Sequence, residues 1–291
     1  MNTKQIERII TSNSKHFVGD GFNVYNIIPG NQGLSMRRMS PFIMMDYNAL
    51  IQFPPSDVPK GVGVHPHRGF ETVTIAYKGK IAHHDSSGGG GVISEGDVQW
   101  MTAASGVLHK EYHEEAWSKK GGDFQMVQLW VNLPAKHKMS PPKYQAIPNA
   151  SIPKIKLPNE CGEIEIIAGE LNGNTGAAST FTSVHLYNIR LKAGGKFNFS
   201  LPASYNSAIL ILEGSAMING ESASANQFLL FKNEGEEINV ETSTDSILLV
   251  LSGEPIHEPI AHYGPFVMNT QAEIMEAIDD FNSGKFGFLE A

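Results

Sequence analysis

The sequence predicts an all-β protein with two antiparallel β-barrel or jelly-roll domains and one short C-terminal α-helix. Short segments rich in strand-forming residues recur along the chain, and clusters of Gly, Ser, Asn and Pro separate them. These segments span residues 71–77, 98–103, 125–132, 184–191, 207–213, 227–232 and 246–252. The 29 glycines and 16 prolines indicate many turns rather than long helices.

A proline-rich segment separates the two sets of strands. Residues 134–158 contain six prolines without periodicity, a composition typical of an extended connector. We therefore expect an N-terminal domain over residues 1–140, a connector over 141–158 and a C-terminal domain over 159–291. A weak similarity between YKGK at 77–80 and LEGS at 212–215, each at the end of a strand, suggests two copies of one fold.

The predicted helix begins near residue 270. Thr270 and Glu273 have the spacing of a capping box, in which each side chain accepts a hydrogen bond from a free backbone donor of the other residue. Ile274, Ile278 and Phe281 then form an apolar stripe that can pack on a sheet. The sequence Asn-Ser-Gly at 282–284 favours termination. We interpret this helix as structural.

Composition and charge exclude several classes of protein. The 22 basic and 30 acidic residues give a net charge of −8, which disfavours direct binding to nucleic acid. Cys161 is the single cysteine, so intrachain disulfides and CxxC sites are excluded. The N-terminus MNTKQIERII carries charges where a signal peptide needs an apolar run. No segment approaches the ~18 apolar residues of a membrane span, so we expect a cytoplasmic protein without a membrane partner.

Two short motifs predict a metal site in the N-terminal domain. His65-Pro66-His67 and His109-Lys110-Glu111 each place two potential ligands two residues apart. In a strand this spacing points both side chains to the same face. Two such strands facing one barrel interior would supply three imidazoles and one carboxylate to a single point. This donor set suits a divalent first-row metal that keeps open coordination positions.

Two carboxylates compete for the fourth ligand position. Glu71 follows His65 and His67 by an even number of residues, whereas Glu111 is in register with His109. Alternation predicts that both lie on the inner face, so the spacing alone leaves the choice open. His83 and His84 are adjacent and would point to opposite faces of a strand, which disfavours a second metal site there.

The predicted strand over residues 125–132 indicates a pocket beside this site. One of its faces is apolar, and the other carries Gln128, Trp130 and Asn132. A polar and aromatic face of this kind is expected to line a cavity inside a barrel, with Phe70 as further apolar wall. Such a pocket would fit a flat aromatic ligand over the metal.

Several segments resemble the pirin family. They are HPHRGFETVT, GDVQWMTA, GVLHKE, QLWVNLP and the tail HEPIAHYGPFVMNT, and the resemblance covers nearly the whole chain. It implies a bicupin with one iron ion in the N-terminal barrel, held by His65, His67, His109 and Glu111. The resemblance thus favours Glu111 as the fourth ligand. Glu71 is then expected in the surrounding shell or pocket, in contact with the backbone or with Arg68.

The resemblance implies three hypotheses for function. The first is a quercetin 2,3-dioxygenase-type oxygenase, which opens a flavonol ring with O2. A carboxylate, Glu111 or Glu71, would act as its general base, and Glu111 is the expected catalytic residue. The second is an iron-dependent regulator that binds protein partners such as transcription factors, which the acidic charge fits better than DNA. The third is a bicupin that acts on another small molecule. Fe(2+) is the expected metal, but Zn, Ni, Cu, Mn and Co also suit a His/Glu site.

Overall fold

The structure is a computed structural model that describes residues 2–12, 14–30 and 33–290. Short strands make up most of these residues, which confirms the all-β prediction. Among the residues described, no helix is long and apolar enough to cross a membrane.

The elements are numbered in chain order. Before the proline-rich segment they are β1 (Ile6–Thr11), β2 (His16–Val18), β3 (Phe22–Ile28), α1 (Met36–Met39), β4 (Phe42–Phe53), β5 (Gly61–His67), β6 (Phe70–Lys78), β7 (Ile81–Asp85), β8 (Gly90–Ile93), β9 (Val98–Thr102), β10 (Val107–His113), α2 (Glu115–Lys120) and β11 (Gly122–Asn132). From that segment onward they are β12 (Lys143–Ile147), β13 (Lys154–Lys156), β14 (Gly162–Ala168), β15 (Glu170–Leu171), β16 (Asn174–Thr175), β17 (Val184–Leu191), β18 (Lys196–Ser200), β19 (Asn206–Glu213), β20 (Ser215–Ile218), β21 (Glu221–Ser224), β22 (Gln227–Phe231), β23 (Glu237–Thr242), β24 (Ser246–Gly253), β25 (Ala261–Tyr263), β26 (Phe266–Met268) and α3 (Gln271–Asn282).

The first barrel comprises residues 42–149 together with β2, β3 and residues 256–290. Its larger sheet has the strand order β12-β9-β6-β11-β4-β3-β2, and its smaller sheet has the order β5-β10-β7-β8. Gln128 on β11 donates a hydrogen bond across the interior to Glu111 on β10. The faces of β11 and β10 that carry these two residues therefore enclose the interior of the barrel. Apolar side chains fill one end of it, including Phe22, Phe53 and Phe124.

The second barrel comprises residues 150–255 with β1 and α1. Its sheets have the orders β1-β22-β19-β24-β17-β14-β13 and β18-β23-β20-β21. Apolar side chains such as Ile166, Ile211, Leu229 and Val250 form one continuous core between these sheets. This interior is packed by hydrophobic burial rather than organised around polar groups.

The two chain termini do not follow the sequential domain boundaries. β1 pairs antiparallel with β22 and belongs to the second barrel, whereas residues 256–290 belong to the first barrel. The expected boundaries of 1–140 and 159–291 therefore differ from the compact units. The reason is pairing between residues distant in sequence: Ile10 is buried in the ladder with β22, and α3 packs Ile274 and Ala277 against β25 and β26. Local sequence patterns do not indicate which distant residues will pair in this way.

The proline-rich connector contributes strands to both barrels. β12 pairs with β9 at the edge of the large sheet of the first barrel, and β13 pairs with β14 at an edge in the second. The expectation of an extended connector is thus incomplete, because its extended backbone completes two sheet edges. Proline is compatible with edge strands, where one row of backbone groups needs no partner.

The C-terminal helix forms as predicted. The Thr270 hydroxyl accepts a hydrogen bond from the Glu273 backbone N–H at 3.2 Å, and the Glu273 carboxylate accepts one from the Thr270 backbone N–H at 2.8 Å. This capping box satisfies backbone donors at the start of α3. Ile274 is buried, Ile278 is partly buried and Phe281 is more exposed, so the inner part of the stripe makes the packing contact.

Candidate metal centre

Three histidines meet inside the first barrel. His65 and His67 lie on β5 and His109 lies on β10, and antiparallel pairing places His109 directly opposite His65. One nitrogen of each ring lies within 4.8 Å of a nitrogen on each of the other two. The two-residue spacing in HPH and the facing strand together produce this arrangement, as the sequence predicts.

The donor atoms of these rings are arranged as metal ligands require. His65 Nδ1 lies 2.7 Å from the Gly63 carbonyl, to which it donates, so the lone pair of His65 is on Nε2. His65 Nε2 and His67 Nε2 face each other at 3.0 Å. When two nitrogens each lie about 2.1 Å from one ion and the N–metal–N angle is about 90°, the nitrogens are about 3.0 Å apart. The separation therefore fits two adjacent ligands of a single first-row ion.

His109 provides the clearest evidence that the cluster fits a metal. Its side chain is fully buried, and neither ring nitrogen has a hydrogen-bond partner in the described part of the chain. Burial lowers the pKa of His65, His67 and His109, so all three imidazoles are held in the neutral form that coordinates metals. A buried ring without partners and with a free lone pair is poorly solvated unless an ion binds it.

Glu111 lies on the same face of β10 as His109. Both of its carboxylate oxygens accept hydrogen bonds from Gln128 Nε2, at 3.0 and 3.2 Å. Burial raises the pKa of Glu111 to about 7. The group of ligand atoms within 4.8 Å contains the three histidines and not this carboxylate. Glu111 thus faces the interior next to the cluster, oriented by Gln128.

Glu71 points away from this interior, contrary to the expectation that both glutamates share the inner face. The strand carrying His65 and His67 ends at His67, and β6 begins at Phe70 after a turn in which Gly69 has φ +91°. The turn breaks the alternation on which that expectation relied. Phe70 contacts His67, so Glu71 lies on the opposite face, where it accepts a hydrogen bond from the Thr102 hydroxyl at 2.7 Å.

Arg68 anchors the C-terminal helix and does not bond to Glu71. Its guanidinium donates to the Asp280 carboxylate at 2.8 Å and to the Ser105 carbonyl at 2.7 Å, and it lies 4.7 Å from the centre of the Phe286 ring. Every one of these partners lies outside the pocket predicted for Arg68. Its role in the site is indirect, because it fixes the turn that follows His67.

Lys138, which the sequence did not single out, holds the same turn from the other side. Its buried amine donates to the Gly69 carbonyl, to Asn132 Oδ1 and to the Val267 carbonyl at 2.7 to 2.9 Å. Three acceptors match the three N–H donors of an ammonium group. The turn that positions His67 is therefore tied to β11 and β26.

The aromatic wall predicted from the sequence is present beside the histidines. The rings of Phe70 and Trp130 are stacked with centroids 4.1 Å apart, and they lie 5.2 and 5.5 Å from the His67 ring. Phe70 is fully buried and Trp130 is half-buried. This pair excludes water from one side of the cluster and presents a flat apolar surface.

His83 is a second interior residue that sequence reasoning missed. Pairing of β7 with β10 places it opposite Glu111, its ring centroid is 6.4 Å from that of His109, and its Nε2 lies 3.0 Å from the Tyr144 hydroxyl. The prediction that His83 and His84 point to opposite faces is confirmed, because His83 is buried and His84 is exposed. Alternation along a strand does not show which of the two histidines faces the cluster.

The described residues of the second barrel contain no comparable cluster. Within residues 2–12, 14–30 and 33–290, the group of three histidines is the sole set of three or more His, Cys, Asp or Glu side chains that converge in this way. It lies in the first barrel.

Comparison with known proteins agrees with this fold. The profile of the family described as Pirin matches residues 21–131, and that of the Pirin C-terminal cupin domain matches residues 186–287. A Pseudomonas aeruginosa protein named "Putative quercetin 2,3-dioxygenase PA2418" is 45% identical over 283 residues, which cover 97% of this chain and 98% of that one. Pirin-like protein 2 of Arabidopsis thaliana is 38% identical over 93% of this chain and 82% of its own length.

A solved structure extends the match to the whole architecture. The crystal structure of quercetin 2,3-dioxygenase from Acinetobacter baumannii superposes with a TM-score of 0.93 and 46% identity, covering 99% of this chain and 100% of that one. The two barrels described above are therefore the two cupin domains of a bicupin. With matches to both family domains and to full-length relatives, this chain belongs to the pirin family.

Proposed function

We propose that this protein is a metal-dependent oxygenase of the quercetin 2,3-dioxygenase type, which opens a flavonol ring with O2 and releases carbon monoxide. The observation that carries the proposal is the buried cluster of His65, His67 and His109, in which His109 has no other partner in the described residues. The names of the relatives from Pseudomonas aeruginosa and Acinetobacter baumannii, at 45% and 46% identity, support the same chemistry.

In this proposal His65, His67, His109 and Glu111 hold one divalent ion, with Fe(2+) as the physiological metal. A bound ion of this kind polarises a coordinated oxygen and lowers the pKa of the hydroxyl that carries it. Glu111 would supply the carboxylate oxygen of this donor set, from the face of β10 that also carries His109. Zn, Ni, Cu, Mn and Co are further metals that this donor set can hold.

The side chains of the barrel perform the remaining steps. Glu111, which accepts hydrogen bonds from Gln128 beside the histidine cluster, takes the proton of the flavonol 3-hydroxyl as general base. Gln128 fixes the direction of that carboxylate. Phe70 and Trp130 stack on the flat ligand and exclude water on one side. These roles make Phe70, Gln128 and Trp130 substrate-pocket residues.

The test is turnover of quercetin by the purified protein. Apo-protein is loaded with Fe(2+) under anaerobic conditions, mixed with quercetin in air, and assayed for O2 uptake and carbon monoxide release. We expect both in equal amounts, and neither from the His109→Ala variant. Iron-loaded wild-type protein that consumes no O2 with quercetin would refute the oxygenase. Two hypotheses would then remain, action on another small molecule and regulation through protein partners. Capture of specific binding proteins would favour the second.

A further inference from the structure

The inner wall of the first barrel carries a row of polar side chains opposite β10. Antiparallel pairing places Gln128 beside Thr74, and Thr74 beside Gln99, across β11, β6 and β9. Residues paired in this way lie on the same face of the sheet. Because Gln128 reaches Glu111 on the opposite sheet, the whole row faces the barrel interior. Thr72 lies on the same face, in the next row.

These side chains are buried and lack hydrogen-bond partners within the described part of the chain. Thr72, Thr74 and Gln99 are 0% exposed. Both threonine hydroxyls, and both the oxygen and the nitrogen of the Gln99 amide, have no partner among the described residues. Buried polar groups in native proteins are nearly always hydrogen-bonded. Four unpartnered polar atoms on one interior wall therefore indicate that this wall binds a polar ligand.

The row lies within reach of a ligand bound at the histidine cluster. Gln128 contacts Glu111, which is two residues from His109 on the same strand face. Neighbouring strands are about 4.8 Å apart, so Thr74 lies about 5 Å and Gln99 about 10 Å along the wall from Gln128. A multi-ring ligand that contacts the cluster at one end can span this distance.

The chemistry of the row selects the class of ligand group. Hydroxyl and amide side chains are neutral, and each both donates and accepts hydrogen bonds. The row itself has no cation to pair with a carboxylate or phosphate. We propose that Thr72, Thr74 and Gln99 form a hydroxyl-binding subsite for the phenolic hydroxyl groups of a polyhydroxylated flavonol, at the end of the ligand away from the cluster. This inference rests on the proposed function and specifies which flavonols the site prefers.

The test compares two flavonols in anaerobic binding to metal-loaded protein. Quercetin carries hydroxyl groups on all three rings, whereas 3-hydroxyflavone keeps only the hydroxyl and carbonyl expected at the cluster. Thr74→Val and Gln99→Met remove the hydrogen-bonding groups with little change in shape. Thr102→Val is the matched control, because Thr102 is a buried threonine on the opposite face of β9 and bonds to Glu71.

We expect wild-type protein and Thr102→Val to bind quercetin more tightly than 3-hydroxyflavone. Thr74→Val and Gln99→Met should each weaken quercetin binding about tenfold and leave 3-hydroxyflavone binding unchanged. The subsite would be overturned if the two variants lost affinity for both flavonols equally, or lost affinity for neither. Wild-type protein that binds neither flavonol would also overturn it. Selective loss of quercetin binding, in a wild-type protein that binds flavonols without turning them over, would support the subsite while refuting the oxygenase.

Discussion

The two buried glutamates of the first barrel allow a matched test of the metal centre. Glu71 is 1% and Glu111 is 2% exposed, and burial raises the pKa of each to about 7. Glutamine keeps the size of either side chain and removes its charge. The two side chains differ in direction, since Glu111 faces the histidines and Glu71 faces the outer side of its sheet. Comparing Glu71→Gln with Glu111→Gln therefore tests the effect of side-chain direction, because size, burial and loss of charge are the same at both positions.

Loss of a residue that hydrogen-bonds to a metal ligand typically weakens metal binding ~10–100-fold. Glu111→Gln is expected to weaken metal binding by more than this, because it removes a direct ligand. Flavonol turnover should disappear with it. Glu71→Gln should leave metal affinity unchanged, since the new amide oxygen can still accept from the Thr102 hydroxyl on the far face. Neither variant should unfold, because a glutamine at position 111 can still be paired with Gln128.

The assay titrates apo-protein with Fe(2+) under anaerobic conditions in competition with a chelator of known affinity. Elemental analysis of the protein after gel filtration then gives the bound metal per chain. Metal lost with Glu71→Gln and retained with Glu111→Gln would refute the assignment of faces. Full affinity in both variants would show that three histidines suffice and that Glu111 is not a ligand.

Three further predictions follow from the same geometry. His109→Ala should remove most of the bound metal, while Cys161→Ser leaves metal content and turnover unchanged; stoichiometric metal in the alanine variant would exclude His109 as a ligand. Elemental analysis of wild-type protein should give about one ion per chain, and two ions would contradict the asymmetry between the barrels. Glu71→Gln should stabilise the apo-protein at pH 8 but little at pH 5. The raised pKa means that folding holds a proton on Glu71 up to about pH 7, so wild-type stability falls as pH rises from 4.5 to 7, by up to about 3 kcal/mol. Equal melting-temperature shifts at the two pH values would refute this.

Much of the fold was predictable because it depends on local patterns. The segment 71–77 became β6 (Phe70–Lys78), and 184–191 became β17 with the same limits. The capping box of α3 formed at Thr270. The two-residue spacing also predicted that His65 and His67 share one strand face, and the family resemblance predicted that His109 would join them. Each of these features is set by residues a few positions apart in the sequence, including ligands that are two residues apart and therefore point to the same face of a strand.

The features that could not be predicted depend on pairing between distant residues. The Arg68–Asp280 ion pair joins residues 212 positions apart, and neither residue has a local signal for the other. The N-terminal strand β1 belongs to the second barrel and the C-terminal helix α3 to the first, and this arrangement also depends on pairing between distant residues. Lys138 was overlooked because a lysine in a polar segment is normally exposed, and only its three carbonyl and amide acceptors make its burial favourable.

The error at Glu71 shows why the direction of a strand face needs more than its hydrophobic pattern. Both faces of β6 are buried, so burial does not distinguish them. Val73 and Ile75 share the outer face with Glu71, while Thr72 and Thr74 face the barrel interior. The usual rule that apolar residues point inward would therefore invert this strand. A strand that turns its polar face to the interior gives up hydrophobic packing there, and this arrangement is expected where the interior binds a polar ligand rather than forming a core.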